Sequence, residues 1–235
     1  AAGNTIVLKP ASPTPLSALL LAELIDQTAL SRGAFNVVTG SGKTIGDALI
    51  KSDKVKMITF TGSPAVGKGI RDRAGLKKVA LELGSNSGLI IDKNVDLAQI
   101  VPKCVMGAFS NQGQVCISLQ RTYVMDEVYD EFIEQFSTLT NKLVIGNPED
   151  ESTDISAMIH PDEQERALSW VQEAVEQGSK VISGGMIENG IFLPTILTNV
   201  GADSKVSCQE VFAPIVLVNR ISSIDEGIDA INNSN

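Results

Sequence analysis

Histidine is almost missing from this chain. His160 is the single one in 235 residues, so any Ser-His-Asp or Cys-His pair would have to be built on it. It stands in "MIHPDEQER", directly before Pro161, where a loop enters a helix, and a solvated loop histidine is the expectation. Cysteine is scarce too. Cys104, Cys116 and Cys208 are scattered, without a CxxC spacing. An odd, dispersed set points to reduced thiols in a cytoplasmic protein rather than to a disulfide framework or a zinc site. No apolar run reaches the about 18 residues that would span a membrane. The opening "AAGNTIVLKP" lacks the basic segment and apolar stretch of a signal peptide. Nor is there an excess of positive charge. A net charge of −9 and a pI near 4.7 argue against nucleic-acid binding, whose electrostatic footprint is basic. Neither nucleic acid, membrane nor metal is an expected partner. The Asn232-Asn233-Ser234 sequon is a chance match in such a chain.

What is present is an ordinary globular composition, 43% hydrophobic and 20% charged, with length enough for one large domain or two modest ones. The first third alternates apolar strands with helical stretches. "NTIVLK" (4–9) reads as a buried strand. "LSALLLAELIDQTAL" (16–30) reads as a helix ending near Arg32-Gly33 on a glycine cap. "AFNVVTG" (34–40), "VKMITFTG" (55–62) and "KKVALELG" (77–84) are further strands with helices between them, the second of these starting on the Ser63 cap. This alternation indicates parallel βαβ units and an α/β fold with a Rossmann-like parallel sheet. Beyond Gly84 the tempo changes. "SGLIIDK", "QRTYVMD", "IFLPTILTNV" and "PIVLVNRIS" read as strands. Helices are expected over about 95–110, over "VYDEFIEQFSTLTNKL", over 161–178 and over the terminal "SIDEGIDAINNSN". Gly84 is the natural hinge, dividing a part over 1–83 from an α/β part over 84–235. The chain opens inside a strand and stops at a helix end, which suggests the central part of a larger protein.

Four segments could carry chemistry. "VVTGSGKT" (37–44) ends like a phosphate loop, but Gly-x-x-x-x-Gly-Lys-Thr needs glycine at position 37, where Val37 stands. A strand end and turn, with Gly40 leaving room for a ligand, is the other reading. Cys116 in "SNQGQVCIS" follows a helix and the tight Gly113 turn. It is either an exposed nucleophile, active through its thiolate, or a buried structural cysteine, the reading that suits Cys104 and Cys208. In "VALELG", Val79, Leu81 and Leu83 share one face, and Ala80, Glu82 and Gly84 the other. A carboxylate at the end of a buried parallel strand lies where α/β folds place ligands and suits a general base. Pairing with Lys77 or Lys78 is the plainer alternative. Finally, Gly62, Ser63 and Gly67 in "FTGSPAVGKGI" form a strand-to-helix turn, which either cradles a dinucleotide phosphate or merely connects elements.

Taken in order, "VLKPASPTP", "FNVVTGSG", "ITFTGSPAVGKGI", "LELGSNSGLII", "NQGQVC" and "QEVFAPI" resemble the aldehyde dehydrogenase superfamily from end to end, as does the 34-residue step from Glu82 to Cys116. The resemblance implies a Rossmann-like NAD(P)-binding domain over 1–83 and a catalytic, cysteine-bearing domain over 84–235, truncated at its C-terminal end. It implies that Cys116 attacks an aldehyde carbonyl to give a thiohemiacetal, with its backbone N–H supporting the oxyanion. Hydride then passes to the nicotinamide, and Glu82 activates the water that hydrolyses the thioester. Lys9 and Glu210 would contact the two riboses, Gly62, Ser63 and Gly67 would lie near the pyrophosphate, and Phe212 beside the nicotinamide. Gly40 would leave room near the adenosine half. A homodimer or homotetramer is the implied assembly.

Three departures qualify what the resemblance implies. The family's second oxyanion donor, an asparagine upstream of the "KP" strand, and its downstream oligomerisation strand are not in this sequence, so the fragment by itself is expected to be inactive. Ser12 stands where NAD-preferring members commonly carry a glutamate. Without that charge a 2′-phosphate is not repelled and can pair with Lys9, so NADP is expected to be accepted beside NAD. Ser85 replaces the second glycine of the usual "ELGG". The alternatives are a CoA-acylating semialdehyde dehydrogenase, disfavoured by Glu82, a non-catalytic binding protein of the same fold, and an ATPase dependent on Lys43. The "KPASPTP" and "LELGSNSG" segments look most like semialdehyde or lactaldehyde-type members.

Overall fold

A computed structural model describes residues 2–233; Ser234 of the sequon and the last two residues of the expected terminal helix lie outside them. The chain divides into two compact units, Ala1–Leu83 and Gly84–Asn235, and both are α/β.

The first unit contains β1 (Ile6–Leu8), α1 (Leu16–Asp26), β2 (Phe35–Val37), α2 (Asp47–Lys51), β3 (Met57–Thr61), α3 (Pro64–Arg73) and β4 (Lys78–Glu82). β1 pairs parallel with β2, and β3 parallel with β4, as two separate two-stranded sheets. Parallel pairing follows from the intervening helices, since a crossover is needed to bring successive strands into the same direction. Several details differ from the sequence reading. β1 is not buried: Ile6 and Val7 are exposed and Leu8 is half-buried. α1 stops at Asp26 rather than near Gly33, because Thr28 turns the chain: its N–H and its hydroxyl both donate to the Ile25 carbonyl, at 3.0 and 2.7 Å. Before α2, residues Gly42–Gly46 form a π-helical turn, capped by the Ser41 hydroxyl, which accepts from the Thr44 N–H at 3.1 Å.

The second unit contains β5 (Gly88–Ile91), α4 (Leu97–Phe109), β6 (Arg121–Met125), α5 (Asp126–Thr140), α6 (Pro161–Glu176), β7 (Lys180–Ser183), β8 (Ile187–Glu188), β9 (Ile191–Phe192), β10 (Thr195–Thr198), α7 (Lys205–Cys208), β11 (Ile215–Ile221) and α8 (Ile224–Asn232). Five strands form one sheet in the order β5-β6-β11-β10-β7, parallel except for the antiparallel edge strand β7. The expected strand over "IFLPTILTNV" is broken at Leu193-Pro194, leaving β9 paired with β8 and β10 in the main sheet. Proline has no N–H to give to a ladder.

Side-chain alternation sorts the core. Val216 and Val218 of β11, with Ile196 and Val124, meet Val101, Phe109, Phe132 and Phe136 of α4 and α5. Ile215 and Leu217, with Leu197, meet Ala167, Val171 and Ala174 of α6. Residues i and i+2 share a face, so this continuous apolar strand is covered on both sides, as parallel strands in α/β folds are. Phe132 and Phe136 stack with centroids 5.3 Å apart. Among the described residues, no helix is long and apolar enough to cross a membrane.

Candidate active site

In the first unit, the C-terminal ends of β1 and β2 bring together Lys9, Ser12 and Gly40. The Lys9 ammonium donates to the carbonyls of Pro10 (2.6 Å) and Gly40 (3.4 Å), and the Ser12 hydroxyl donates to the same Gly40 carbonyl (3.2 Å). Gly40 has φ +145°, and a Cβ there would press on the Ile45 side chain. Lys43 lies exposed in the π turn beyond, and the glycine that a phosphate loop requires at position 37 is absent.

β3 leads through Gly62 and Ser63 into α3. Ser63 occupies the N-cap position with Pro64 at the next, yet its hydroxyl makes no capping bond. This corrects the expectation of a serine-capped start and leaves the first-turn N–H groups without a side-chain acceptor. Gly67 is buried, where an added Cβ would strike the Leu83 side chain. Glu82 is opposite Thr61 in the ladder, and its carbonyl accepts from the Gly62 N–H at 3.0 Å. The Glu82 side chain is exposed rather than buried, because β4 belongs to a two-stranded sheet that leaves this face open. It makes no ion pair with Lys77 or Lys78, so the plainer alternative for Glu82 is not realised.

In the second unit, α4 ends at Phe109 and the chain turns sharply through residues 110–113. Asn111, Gln112 and Gly113 take φ of +50°, +57° and +66°. Gly113 is required by its neighbour as well: a Cβ would stand 2.2 Å from the Ala213 carbonyl oxygen. That close approach brings "NQGQVC" and "QEVFAPI" together. Cys116 is the exposed cysteine of the three; Cys104 is buried and Cys208 half-buried. Cys116 lines one small hollow with Ser85, Gly113, Glu210, Phe212 and Ala213. Among the described residues, no hydrogen bond engages the Cys116 backbone N–H. Glu210 accepts from the Ser85 N–H at 3.0 Å, and the Ser85 and Ser87 hydroxyls are 3.0 Å apart. Phe212 has φ +50° and is 39% exposed, so its ring is held away from the core.

The distinction between the thiols has a physical cause. Burial among α4 residues pushes the Cys104 thiol up to about 11, because desolvation penalises the thiolate. Cys104 is thereby inert at neutral pH. His160 is the N-cap of α6, its Nδ1 accepting from the Asp162 N–H at 3.2 Å, and its exposed ring serves as a helix cap. Three groups of His, Cys, Asp or Glu suited to a metal do not occur together among the described residues.

The sequence reading missed two residues that fix the loop carrying Glu210. Gln120 is 5% exposed and bonds three backbone groups of the 206–211 segment. Arg166 donates to the Val211 carbonyl at 2.7 Å. Gln120 carried no signal of its own, since it stands directly before the polar Arg121-Thr122 start of β6.

A family model described as "Aldehyde dehydrogenase family" matches residues 1–235. The 3-sulfolactaldehyde dehydrogenase of Priestia megaterium is 50% identical over 234 residues, covering 100% of this chain and 49% of that protein. The lactaldehyde dehydrogenase of Methanococcus aeolicus is 41% identical over 239 residues, covering 100% of this chain and 51% of its own length. The crystal structure of glyceraldehyde-3-phosphate dehydrogenase from Methanocaldococcus jannaschii complexed with NADP superposes with a TM-score of 0.95 at 38% identity, covering 99% of this chain and 51% of that one. The chain therefore spans about half the length of the curated relatives it matches. With the family model running through every segment from the Lys9 strand to the Glu210 loop, the chain belongs to the aldehyde dehydrogenase family.

Proposed function

We propose that this chain supplies the nucleophile and the dinucleotide-binding parts of an NADP- or NAD-dependent enzyme that oxidises a small aldehyde to its carboxylic acid. The observation that carries this reading is the position of Cys116. It is an exposed thiol in one hollow with Glu210 and Phe212, two residues from a loop far along the chain.

The residues present fit a dinucleotide. Lys9 and Ser12 meet on the Gly40 carbonyl, and an anion near them finds a cation without an opposing carboxylate. The start of α3 lacks a side-chain cap, so its N–H groups and its dipole favour a phosphate group. One Glu210 oxygen takes the Ser85 N–H, and a carboxylate keeps further acceptor sites for ribose hydroxyls. The dinucleotide, when bound, supplies the hydride acceptor.

The chain's own groups do the rest. Cys116 Sγ adds to the aldehyde carbonyl, and the uncommitted Cys116 N–H donates to the oxygen that becomes negative. After oxidation the carbonyl carbon remains on sulfur as a thioester. Glu82 takes a proton from water, which attacks the thioester and releases the acid and the free thiol. The names of the two relatives support a lactaldehyde-type substrate, a short aldehyde with a hydroxyl on the adjacent carbon. A cytoplasmic homodimer or homotetramer is the proposed setting.

The test is a panel of short aldehydes assayed on the full-length protein with NADP and with NAD. Cys116→Ala is expected to abolish reduction of the dinucleotide. Glu82→Gln is expected to keep a first-turnover burst and to lower steady turnover by about 100-fold or more, in the range of a lost general base. Activity retained in Cys116→Ala overturns the reading. Activity with NAD and none with NADP overturns the NADP acceptance drawn from Ser12.

A further inference from the structure

We propose that Gln120 is a positioning residue that sets the 206–212 segment, and with it Glu210 and Phe212, for dinucleotide binding. The inference rests on the dinucleotide reading above. Gln120 stands at the head of β6 and is almost fully buried. Its amide nitrogen donates to the carbonyls of Gln209 (2.6 Å) and Val206 (3.2 Å). Its amide oxygen accepts from the Val211 N–H at 2.9 Å. One side chain therefore holds the residues on both sides of Glu210, and does so from the position directly before β6.

A side-chain amide offers two donors and an acceptor oxygen, and here both donors and the oxygen are committed to backbone. No other residue type of this size presents donors and an acceptor in one plane, so the clamp is specific to glutamine. The segment it holds is irregular between α7 and β11, and Phe212 sits there at positive φ. Without an outside tether, such a segment has several conformations of similar energy. Arg166 holds only the Val211 carbonyl, and on the other side the Gln209 N–H donates to the Lys205 carbonyl (3.0 Å) and the Asn86 amide to the Ser207 carbonyl (2.8 Å). Gln120 is the side chain that bonds backbone on both sides of Glu210.

The Cys116 turn is anchored by other bonds. The Ser118 hydroxyl donates to the Ala108 carbonyl at 3.2 Å, and the Leu119 N–H to the Gly107 carbonyl at 2.9 Å. Gln120 lines the same hollow as Cys116, but its side-chain hydrogen bonds all run to the 206–211 segment and none to the Cys116 turn. Supporting groups of this kind hold a functional residue in place without touching what it binds.

The experiment compares Gln120→Met and Gln120→Glu with wild type in the full-length protein. Met keeps the volume and removes all three bonds. Glu keeps the acceptor for Val211 but turns a carboxylate on the two carbonyls, and it carries the same readouts should the Met variant not fold. The expected result is a KM for NADP and for NAD raised about tenfold or more, the loss of roughly one well-placed contact. The aldehyde KM and the rate of Cys116 alkylation by iodoacetamide are expected to stay within about twofold, since neither depends on the clamp. Amide exchange in 206–212 is expected to speed up while that of β11 does not. A folded variant with unchanged dinucleotide KM overturns the assignment to Gln120. So does one in which aldehyde KM and alkylation shift as much as dinucleotide KM, which marks a general structural defect. Wild-type protein that binds neither NADP nor NAD overturns the dinucleotide reading itself, and the Gln120 role falls with it.

Discussion

Two thiols of identical chemistry sit within one stretch of the chain, and their surroundings separate them. Cys116 ends a strained turn and is exposed, whereas Cys104 lies against the sheet in α4 and is held protonated by burial. The consequence for stability has a definite sign. Below pH 9.0 the thiol is protonated in both folded and unfolded chains, so nothing is lost. From 9.0 to about 11 the unfolded chain releases its proton first, and stability falls by about 2–3 kcal/mol in total. Denaturant titrations at pH 8 and pH 11 are expected to show this loss in wild type, and to show less of it in Cys104→Val. A pH dependence unchanged by the substitution would refute the assignment. The local sequence does not distinguish the two cysteines; only the family resemblance and the folded environment do.

At the scale of elements, the period of the apolar pattern located most strands and helices, and turn chemistry moved their ends. Thr28 stops α1 well before Gly33 through a hydroxyl bond that composition does not reveal. Pro194 splits one apolar run between two sheets. The buried Arg121 shows how the last helix is held. Its guanidinium donates to the carbonyls of Asn86 (2.7 Å), Ala230 (3.1 Å) and Ile231 (3.3 Å), joining the approach to β5 to the end of α8. A cation at a helix C-terminus also meets the negative end of the dipole. Arg121→Met, which keeps much of the stem, is expected to cost about 3 kcal/mol, read by urea unfolding, with exchange protection in α8 lost first. Unaltered protection of α8 would show that Arg121 does not hold it.

At the scale of the whole chain, the two units differ in how they bury apolar surface. In the second, a continuous strand such as β11 is covered on both faces by helices. In the first, α1 has no buried residue, and Leu16 is 76% exposed. Helix stability in water comes mostly from packing of an apolar face, so α1 is expected to exchange its amides about 100-fold or more faster than α4 and α5. Hydrogen exchange on this chain read by mass spectrometry checks this; equal protection in α1 and α5 would overturn it.

The sequence by itself determined the α/β class and the family, because these rest on ordered motifs and on apolar periodicity, which are local properties, and through the family resemblance it singled out Cys116 as the candidate nucleophile. It also marked Lys9, Ser12 and Gly40, but only folding brought them onto one carbonyl. The exposure of Glu82 was not legible, since alternation along a strand says which residues share a face and not whether another layer covers it. Gln120 was equally hidden. Its partners lie about 90 residues away in the chain, and a side chain's hydrogen bonds to distant backbone are decided only when the sheet closes and the loop is laid across its end.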